Sequence, residues 1–283
     1  MNNDRIQEIL DLMEEARLDY FLISDPQSIA YCTGYYNDPH ERMFVFMISK
    51  HGNHTLFMND LFYLDHDLDV NIVWHKDGQD AIQTIVDEMH FPGRIGIDKN
   101  WASHFLLDLM KKLPDAKYIN ASPCVDLVRM KKDLQEQVLM IESSKINDAV
   151  MEEIIPFIQE GVTEKQLAKK LDELFFNHHS TCYGAIVAFG KNADPHHEND
   201  DTLLRKGDCV LIDMGCVYKG YCSDMTRTFF YEGILEEEIK VYEIVKKANE
   251  AAEAMIKPGV KLSDIDKCAR KVISDEGYGK YFI

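Results

Sequence analysis

The sequence predicts an α/β domain over residues 1–125 followed by an α+β domain over residues 126–283. Two patterns carry this expectation. In the first stretch, short apolar runs alternate with helical periodicities, as in a sheet flanked by helices. In the second, a long helix and a capped helix precede three strand-like runs, and two more helices close the chain, so helices and strands are segregated.

The elements follow in order. Ile6, Ile9, Leu10 and Met13 recur at helical spacing. Tyr20-Phe21-Leu22-Ile23 is a short buried strand. Residues 43–48 and 55–58 are further strands, joined through a turn at His51-Gly52-Asn53. Residues 81–89 are an amphipathic helix, 95–97 a strand and 102–113 another helix. Arg129-Met130-Lys131-Lys132 reads as a solvated helix start. A long helix over 134–158 sets Val138, Ile141, Ile146, Val150 and Ile154 on its apolar side, and Gly161-Val162 breaks it. Thr163-Glu164-Lys165-Gln166 is a capping-box sequence, Thr followed three residues later by Gln, and it opens a helix through Phe176. Strands are expected over 183–189, 208–217 and 221–230. Helices are expected over 236–256 and 263–274, with a Pro258-Gly259 turn between them.

Composition limits what the chain can be. It has 283 residues, 46% hydrophobic and 28% charged, which is ordinary for a globular protein and long enough for about two domains. Lys plus Arg is 31 against 49 for Asp plus Glu, so a net charge of −18 argues against a nucleic-acid partner. No apolar run approaches the roughly 18 residues of a membrane span. The start, Met1-Asn2-Asn3-Asp4-Arg5, lacks the apolar core of a signal peptide. A cytoplasmic protein without a membrane partner is expected. The seven cysteines, at 32, 124, 182, 209, 216, 222 and 268, include no C-x-x-C pair, so neither a zinc ribbon nor a thioredoxin-type motif is present. Most of them read as small buried core residues in a reducing compartment. There is no Gly-x-Ser-x-Gly elbow and no Walker loop, and Gly277-x-Gly279 alone is too little for a dinucleotide site.

Chemistry concentrates in Leu211-Ile212-Asp213-Met214-Gly215 and Cys222-Ser223-Asp224-Met225-Thr226-Arg227-Thr228. Tyr218-Lys219-Gly220 is a turn between them. With Tyr218 and Lys219 as the two loop residues, Asp213 pairs directly with Asp224, and opposed Cβ atoms lie about 4.5–5.5 Å apart. Two like charges there are destabilising unless one is protonated or a cation sits between them. The apolar neighbours Val210, Leu211, Ile212 and Phe229 would limit screening by water. A hard or borderline divalent metal would relieve the repulsion and use both carboxylates. Asp-x-Gly and Ser-Asp are also common turn dipeptides, so either acid could equally cap a loop. A one-residue slip would place Asp224 on the other face.

Upstream, Phe189-Gly190-Lys191-Asn192-Ala193-Asp194-Pro195-His196-His197 is a strand running into a loop with two histidines. Pro195 stiffens the approach to His196, and a histidine can donate a proton or hold an oxyanion near neutral pH. His197, Glu198, Asn199, Asp200 and Asp201 read as a polar loop, and Asn37-Asp38-Pro39-His40-Glu41-Arg42 as a solvated, charged turn.

Together these segments resemble the metal-dependent aminopeptidase and prolidase family of the pita-bread fold, and within it the Xaa-Pro dipeptidases. The resemblance rests on the loop from Gly190 to His196, on Gly207-Asp208-Cys209-Val210-Leu211-Ile212-Asp213-Met214-Gly215, and on Gly220-Tyr221-Cys222-Ser223-Asp224-Met225-Thr226-Arg227-Thr228-Phe229. Lys257-Pro258-Gly259 and Gly277-Tyr278-Gly279 add to it. The first half is similar to the creatinase-type domain, through residues 5–10, residues 19–24 and Tyr31-Cys32-Thr33-Gly34-Tyr35. The implied architecture is a creatinase-like N-terminal domain over 1–125 and a pita-bread metallopeptidase domain over 126–283.

The resemblance also implies roles. Asp213 would ligate one metal of a dinuclear centre, Asp224 would bridge both, and His196 would contact the substrate and its tetrahedral intermediate. The cofactors would be two divalent ions, manganese first, with cobalt or zinc as alternatives. The substrate would be a dipeptide with a C-terminal proline. In a homodimer, the loop with Asp38 and His40 would approach the partner's active site. The family's remaining ligands, one His and two Glu, follow a Gly-Tyr-Gly helix end, and the sequence stops at Ile283 before them. The expectation is therefore a chain truncated relative to a full member, binding metal weakly and nearly inactive as a hydrolase. Nothing in the spacing of His178, His179 or Glu198 supports them as substitutes. A creatinase-like amidinohydrolase, an aminopeptidase on the same fold, a non-catalytic binding or dimerisation member and a metal-free chain are the alternatives.

Overall fold

A strand apolar on both faces must lie inside a layered domain. Tyr20–Ile23 is such a strand, and it becomes the centre of the first sheet. The computed structural model describes residues 1–90, 92–193 and 197–282. The chain divides into two compact units, Met1–Lys132 and Asp133–Ile283.

The first unit opens with α1 (Asn3–Glu15), where the Asn2 side chain accepts from the Arg5 N–H at 3.2 Å as an N-cap. Then come β1 (Tyr20–Ile23), α2 (Pro26–Thr33), β2 (Val45–Ser49), β3 (Thr55–Asn59) and β4 (Asn71–His75). They are followed by α3 (Ala81–Glu88), β5 (Arg94–Ile97), α4 (Ser103–Lys112), β6 (Lys117–Asn120) and α5 (Ser122–Met130). The six strands form one mixed sheet in the order β4-β3-β2-β1-β5-β6, with β1 antiparallel to β2 and parallel to β5. Successive side chains point to opposite faces. Phe21, Ile23, Phe46, Ile48 and Leu56 meet Ile9, Ile29 and Val125 of α1, α2 and α5. Tyr20, Leu22, Val45, Met47 and Phe57 meet Ile82, Ile85 and Leu109 of α3 and α4. The result is the expected α/β layering. Arg129 lies in the last turn of α5 rather than at a helix start. Cys124, Val125 and Val128 of that helix are buried in the first unit's core, so the unit extends through Lys132.

The second unit holds α6 (Leu134–Ile154), α7 (Glu164–Asn177), β7 (Thr181–Phe189), β8 (Cys209–Tyr218), β9 (Tyr221–Phe230), α8 (Glu236–Glu253) and α9 (Leu262–Asp275). The expected capping box at Thr163 and Gln166 is formed, and a second, at Asp133 and Glu136, opens α6. The three strands make an antiparallel sheet in the order β7-β8-β9. Val187, Phe189, Val210, Ile212, Met214 and Cys216 pack from one face of this sheet onto Val150, Met151 and Ile154 of α6 and Leu167, Leu171 and Phe175 of α7. Helices α8 and α9 share a small core of Ile244, Ala248 and Ile273.

The face that α6 buries differs from expectation. Val138 and Ile141 are exposed, whereas Glu136, Ser143 and Asn147 are buried. Polar partners explain this. The Ser143 hydroxyl donates to Ser223 Oγ at 2.9 Å, Asn147 Nδ2 donates to the Met214 carbonyl at 3.5 Å, and the Tyr221 hydroxyl donates to Glu136 Oε1 at 2.9 Å. The helix ends at Ile154 and not at 158, because Pro156 follows and a 3₁₀ turn at Ile155–Phe157 takes over. Of the seven thiols, all free, only Cys32, Cys124 and Cys216 are buried, and Cys222 is exposed. Among the described residues no helix is long and apolar enough to cross a membrane.

Candidate metal centre

The hairpin β8–β9 sets the site. Its closing pair is Tyr218 and Tyr221, and the loop is Lys219-Gly220. Both loop residues have positive φ, +49° and +85°, the requirement of a type I′ turn whose twist matches the strands. The loop therefore sits one residue later than expected, and the register moves by two. Asp213 lies opposite Thr226, and Asp224 lies opposite Gly215. The two acids are diagonal, not directly opposed, and diagonal positions of an antiparallel pair are about 7–8 Å apart. A shift by two preserves facing, so both carboxylates stand on the same side of the sheet.

That side is the one turned away from α6 and α7. Val210 and Ile212, expected to shield the acids, point into the core, and Phe229 packs there with them. Only Leu211 of the four shares the face of Asp213. Asp213 is half-buried and Asp224 exposed, so water reaches both more freely than the sequence suggested.

Two neighbours had no assigned role in the sequence. The Thr226 hydroxyl donates to Asp213 Oδ1 at 2.8 Å and so orients that carboxylate. Tyr183 of β7 lies over Gly215, where a Cβ would come within 2.6 Å of its ring. Burial first, then the charges of Asp224 and Asp213, push the Tyr183 phenol above its usual pKa, so it stays protonated at neutral pH. Thr226 stood in the Ser-Asp-x-Thr string, and its place two residues from Asp224 was the available signal. Tyr183 carried none, because a bulge between Cys182 and Ala185 sets its position.

Among the described residues no Lys, Arg or His forms an ion pair with Asp213 or Asp224. Nor, among the described residues, does a third His, Cys, Asp or Glu complete a cluster with them; the one such group found there is Glu164, His197 and Asp200. His196 lies outside the described residues. Its neighbour His197 is not part of a loose polar loop: its Nε2 meets Oε2 of the fully buried Glu164 at 2.9 Å. Asn199 and Asp200 are likewise engaged. Asn199 Nδ2 donates to the Ala185 carbonyl at 2.7 Å, and Asp200 accepts from the Thr202 N–H at 2.6 Å. Hydrogen bonds from Thr202 hold the Asp200 carboxyl below its usual range. His178 caps the far end of α7 and pairs with Glu153 at 2.9 Å. In the first unit, Asp38 and His40 are exposed, and the Asp38 carboxylate accepts from the His40 N–H at 3.1 Å.

The chain belongs to metallopeptidase family M24, whose model matches residues 138–283, and the creatinase/prolidase N-terminal domain matches residues 5–131. The architecture is thus a creatinase/prolidase N-terminal α/β domain followed by the pita-bread catalytic domain. An uncharacterised peptidase of Staphylococcus aureus is 30% identical over 98% of this chain and 80% of its own length. A dipeptidase from Pyrococcus horikoshii superposes with a TM-score of 0.88 at 33% identity, covering 98% of this chain and 79% of that one. A prolidase from Thermococcus sibiricus gives 0.90 at 29% identity, covering 100% and 80%.

Proposed function

We propose that this M24 peptidase is a divalent-metal-dependent dipeptidase acting on Xaa-Pro substrates. The observation that carries the reading is the placement of Asp213 and Asp224 on one open sheet face with no cationic side chain paired to either among the described residues. Like charges so placed are relieved by a cation, and carboxylate oxygens suit manganese best, with cobalt or zinc as alternatives. Asp213 and Asp224 would supply two of the five ligands that the resemblance implies, both through oxygen, and Thr226 orients one of them. When bound, the ions supply Lewis acidity for polarising a scissile carbonyl and acidifying water.

The chain's own residues supply the rest. Asp213 would hold one ion, and Asp224 would serve both. His196 contacts the substrate at the reacting carbonyl. A proline after the scissile bond leaves that amide without an N–H, so the pocket selects by shape and not by that donor. Asp38 and His40, exposed on their loop, reach the partner's substrate in a homodimer. The similarity to a dipeptidase and a prolidase supports the choice of substrate class.

The test is a substrate panel with the full chain and added Mn²⁺, Co²⁺ or Zn²⁺, against a chelated control. Metal-dependent release of proline from Xaa-Pro dipeptides alone is the result the dipeptidase reading expects, and slow turnover with weak metal binding is what two of the five ligands would give. Turnover of creatine, or of longer peptides in preference, would replace the reading with an amidinohydrolase or an aminopeptidase. Metal binding without turnover of any substrate would make the chain a non-catalytic member.

A further inference from the structure

The cluster of Glu164, His197 and Asp200 has the residue types of a metal site, but its hydrogen bonds assign it another task. A carboxylate offers about four acceptor positions. At Glu164 all four are taken. Oε1 accepts from the Phe189 N–H at 2.9 Å and from Asn192 Nδ2 at 3.0 Å. Oε2 accepts from His197 Nε2 at 2.9 Å and from the Asp200 N–H at 3.1 Å. The side chain of Glu164 has no exposure to water. A buried, fully satisfied carboxylate is rigid, and each donor it holds would be left orphaned without it.

The donors come from both sides of one loop. Phe189 and Asn192 precede its His196, and His197 and Asp200 follow it. A second anchor lies alongside. The Asn199 amide takes the place of a strand at the edge of β7, with Oδ1 accepting from the Val187 N–H at 2.7 Å and Nδ2 donating to the Ala185 carbonyl at 2.7 Å. Between those two residues stands Ile186, the β7 neighbour of Asp213 on β8. The Lys165 N–H in the first turn of α7 donates to the Asp200 carbonyl at 3.1 Å. Loop, helix start and the strand beside Asp213 are thus tied to one carboxylate and one amide.

We propose that Glu164 is a positioning residue that clamps both flanks of the loop to α7 and to the strand beside Asp213, so that the contribution of His196 to turnover depends on it. This rests on the reading that His196 acts on substrate, and the experiment separates the two. Proton NMR of the histidine Cε1–H resonances is recorded for the wild-type chain, Glu164→Gln, His197→Ala and His197→Gln, with His196→Ala assigning the His196 signal. Glu164→Gln keeps size but presents an amide N–H to groups that donate. It is expected to shift the His196 resonance while those of His54 and His178 stay in place. His197→Ala is expected to shift it the same way, and His197→Gln, which can still donate to Oε2, to restore it. In kinetics on an Xaa-Pro dipeptide with Mn²⁺, Glu164→Gln is expected to lower kcat about 10–100-fold with KM and Mn²⁺ affinity nearly unchanged, and to cost nothing further in the His196→Ala background.

An unmoved His196 resonance in Glu164→Gln overturns the clamp, as do kcat losses that add in full in the double variant. If His196→Ala retains full turnover, the role of His196 fails, and the resonance shift still decides the clamp on its own.

Discussion

Thr226 faces Asp213 across the β8–β9 hairpin and donates its hydroxyl to Asp213 Oδ1 at 2.8 Å. One carboxylate oxygen is thereby fixed, and the other is left to meet a cation. Thr226→Val keeps the β-branched shape and removes the donor. Because Thr226 is exposed, stability should change by less than about 1 kcal/mol. Mn²⁺ affinity, read by calorimetry, should fall severalfold. An unchanged affinity would mean that the hydroxyl does not orient the ligand.

The two acids repel in the absence of a cation. Asp213→Asn and Asp224→Asn should each leave the metal-free chain as stable as wild type or more so, by roughly 0.2–1 kcal/mol. Added Mn²⁺ should raise the Tm of wild type by preferential binding to the folded state, and should leave both variants unmoved. A metal-induced rise that survives in Asp213→Asn would place the ion elsewhere.

Gly215 is where the hairpin admits no side chain. A Cβ there would lie 2.4 Å from the Ser223 carbonyl oxygen and 2.6 Å from the Tyr183 ring. The ring can swing away, but the backbone oxygen cannot. Gly215→Ala should cost about 1–3 kcal/mol in urea unfolding, and combining it with Tyr183→Ala should recover only part of the loss. Full recovery in the double variant would make the ring, not the backbone, the tight contact.

Acid should weaken the first unit through Asp19. Burial alone would raise its pKa, but the Lys50 ammonium and the backbone N–H groups of Arg94 and Gly93 outweigh burial and hold the carboxyl below its usual value. The two amides donate at 2.7 and 3.0 Å, and Lys50 pairs with the other oxygen. The folded pKa lies below the unfolded one, so this contribution is present above about pH 4 and is lost as pH falls through the folded value. Asp19→Asn should flatten that part of the stability–pH curve, measured by thermal unfolding between pH 2 and 7. A curve that keeps its slope would assign the acid sensitivity to other carboxylates.

Much of this was legible in the residues. The buried strand at Tyr20–Ile23 and the capping box at Thr163 announce themselves because their signals are local. Strands β4 and β6 carry weaker signals: both are largely exposed or half-buried, and their apolar residues, Ile72-Val73-Trp74 and Tyr118-Ile119, are short runs flanked by polar ones. The facing of Asp213 and Asp224 followed from a period of two, which tolerates a register error of two. The register itself depended on Lys219, a non-glycine residue accepting positive φ, and side-chain type does not announce that. The buried face of α6 was invisible for a different reason. Ser143 and Asn147 are buried because of partners on β8 and β9 that lie far along the chain. Glu164 was visible only as a member of a helix-capping string, since its four donors are brought to it by the tertiary fold.

The alternation of the hairpin also constrains how the protein can vary. Deleting or adding one residue at Lys219-Gly220 would swing one acid through the sheet to lie against Val150 and Leu167, among groups that cannot solvate it. Only changes in pairs keep both acids outward, and each such step slides one carboxylate along the strand by two residues, about 6.6 Å. Mutation can therefore tune the gap between the acids only in coarse jumps, and finer adjustment must come from side-chain rotamers such as the one Thr226 imposes on Asp213.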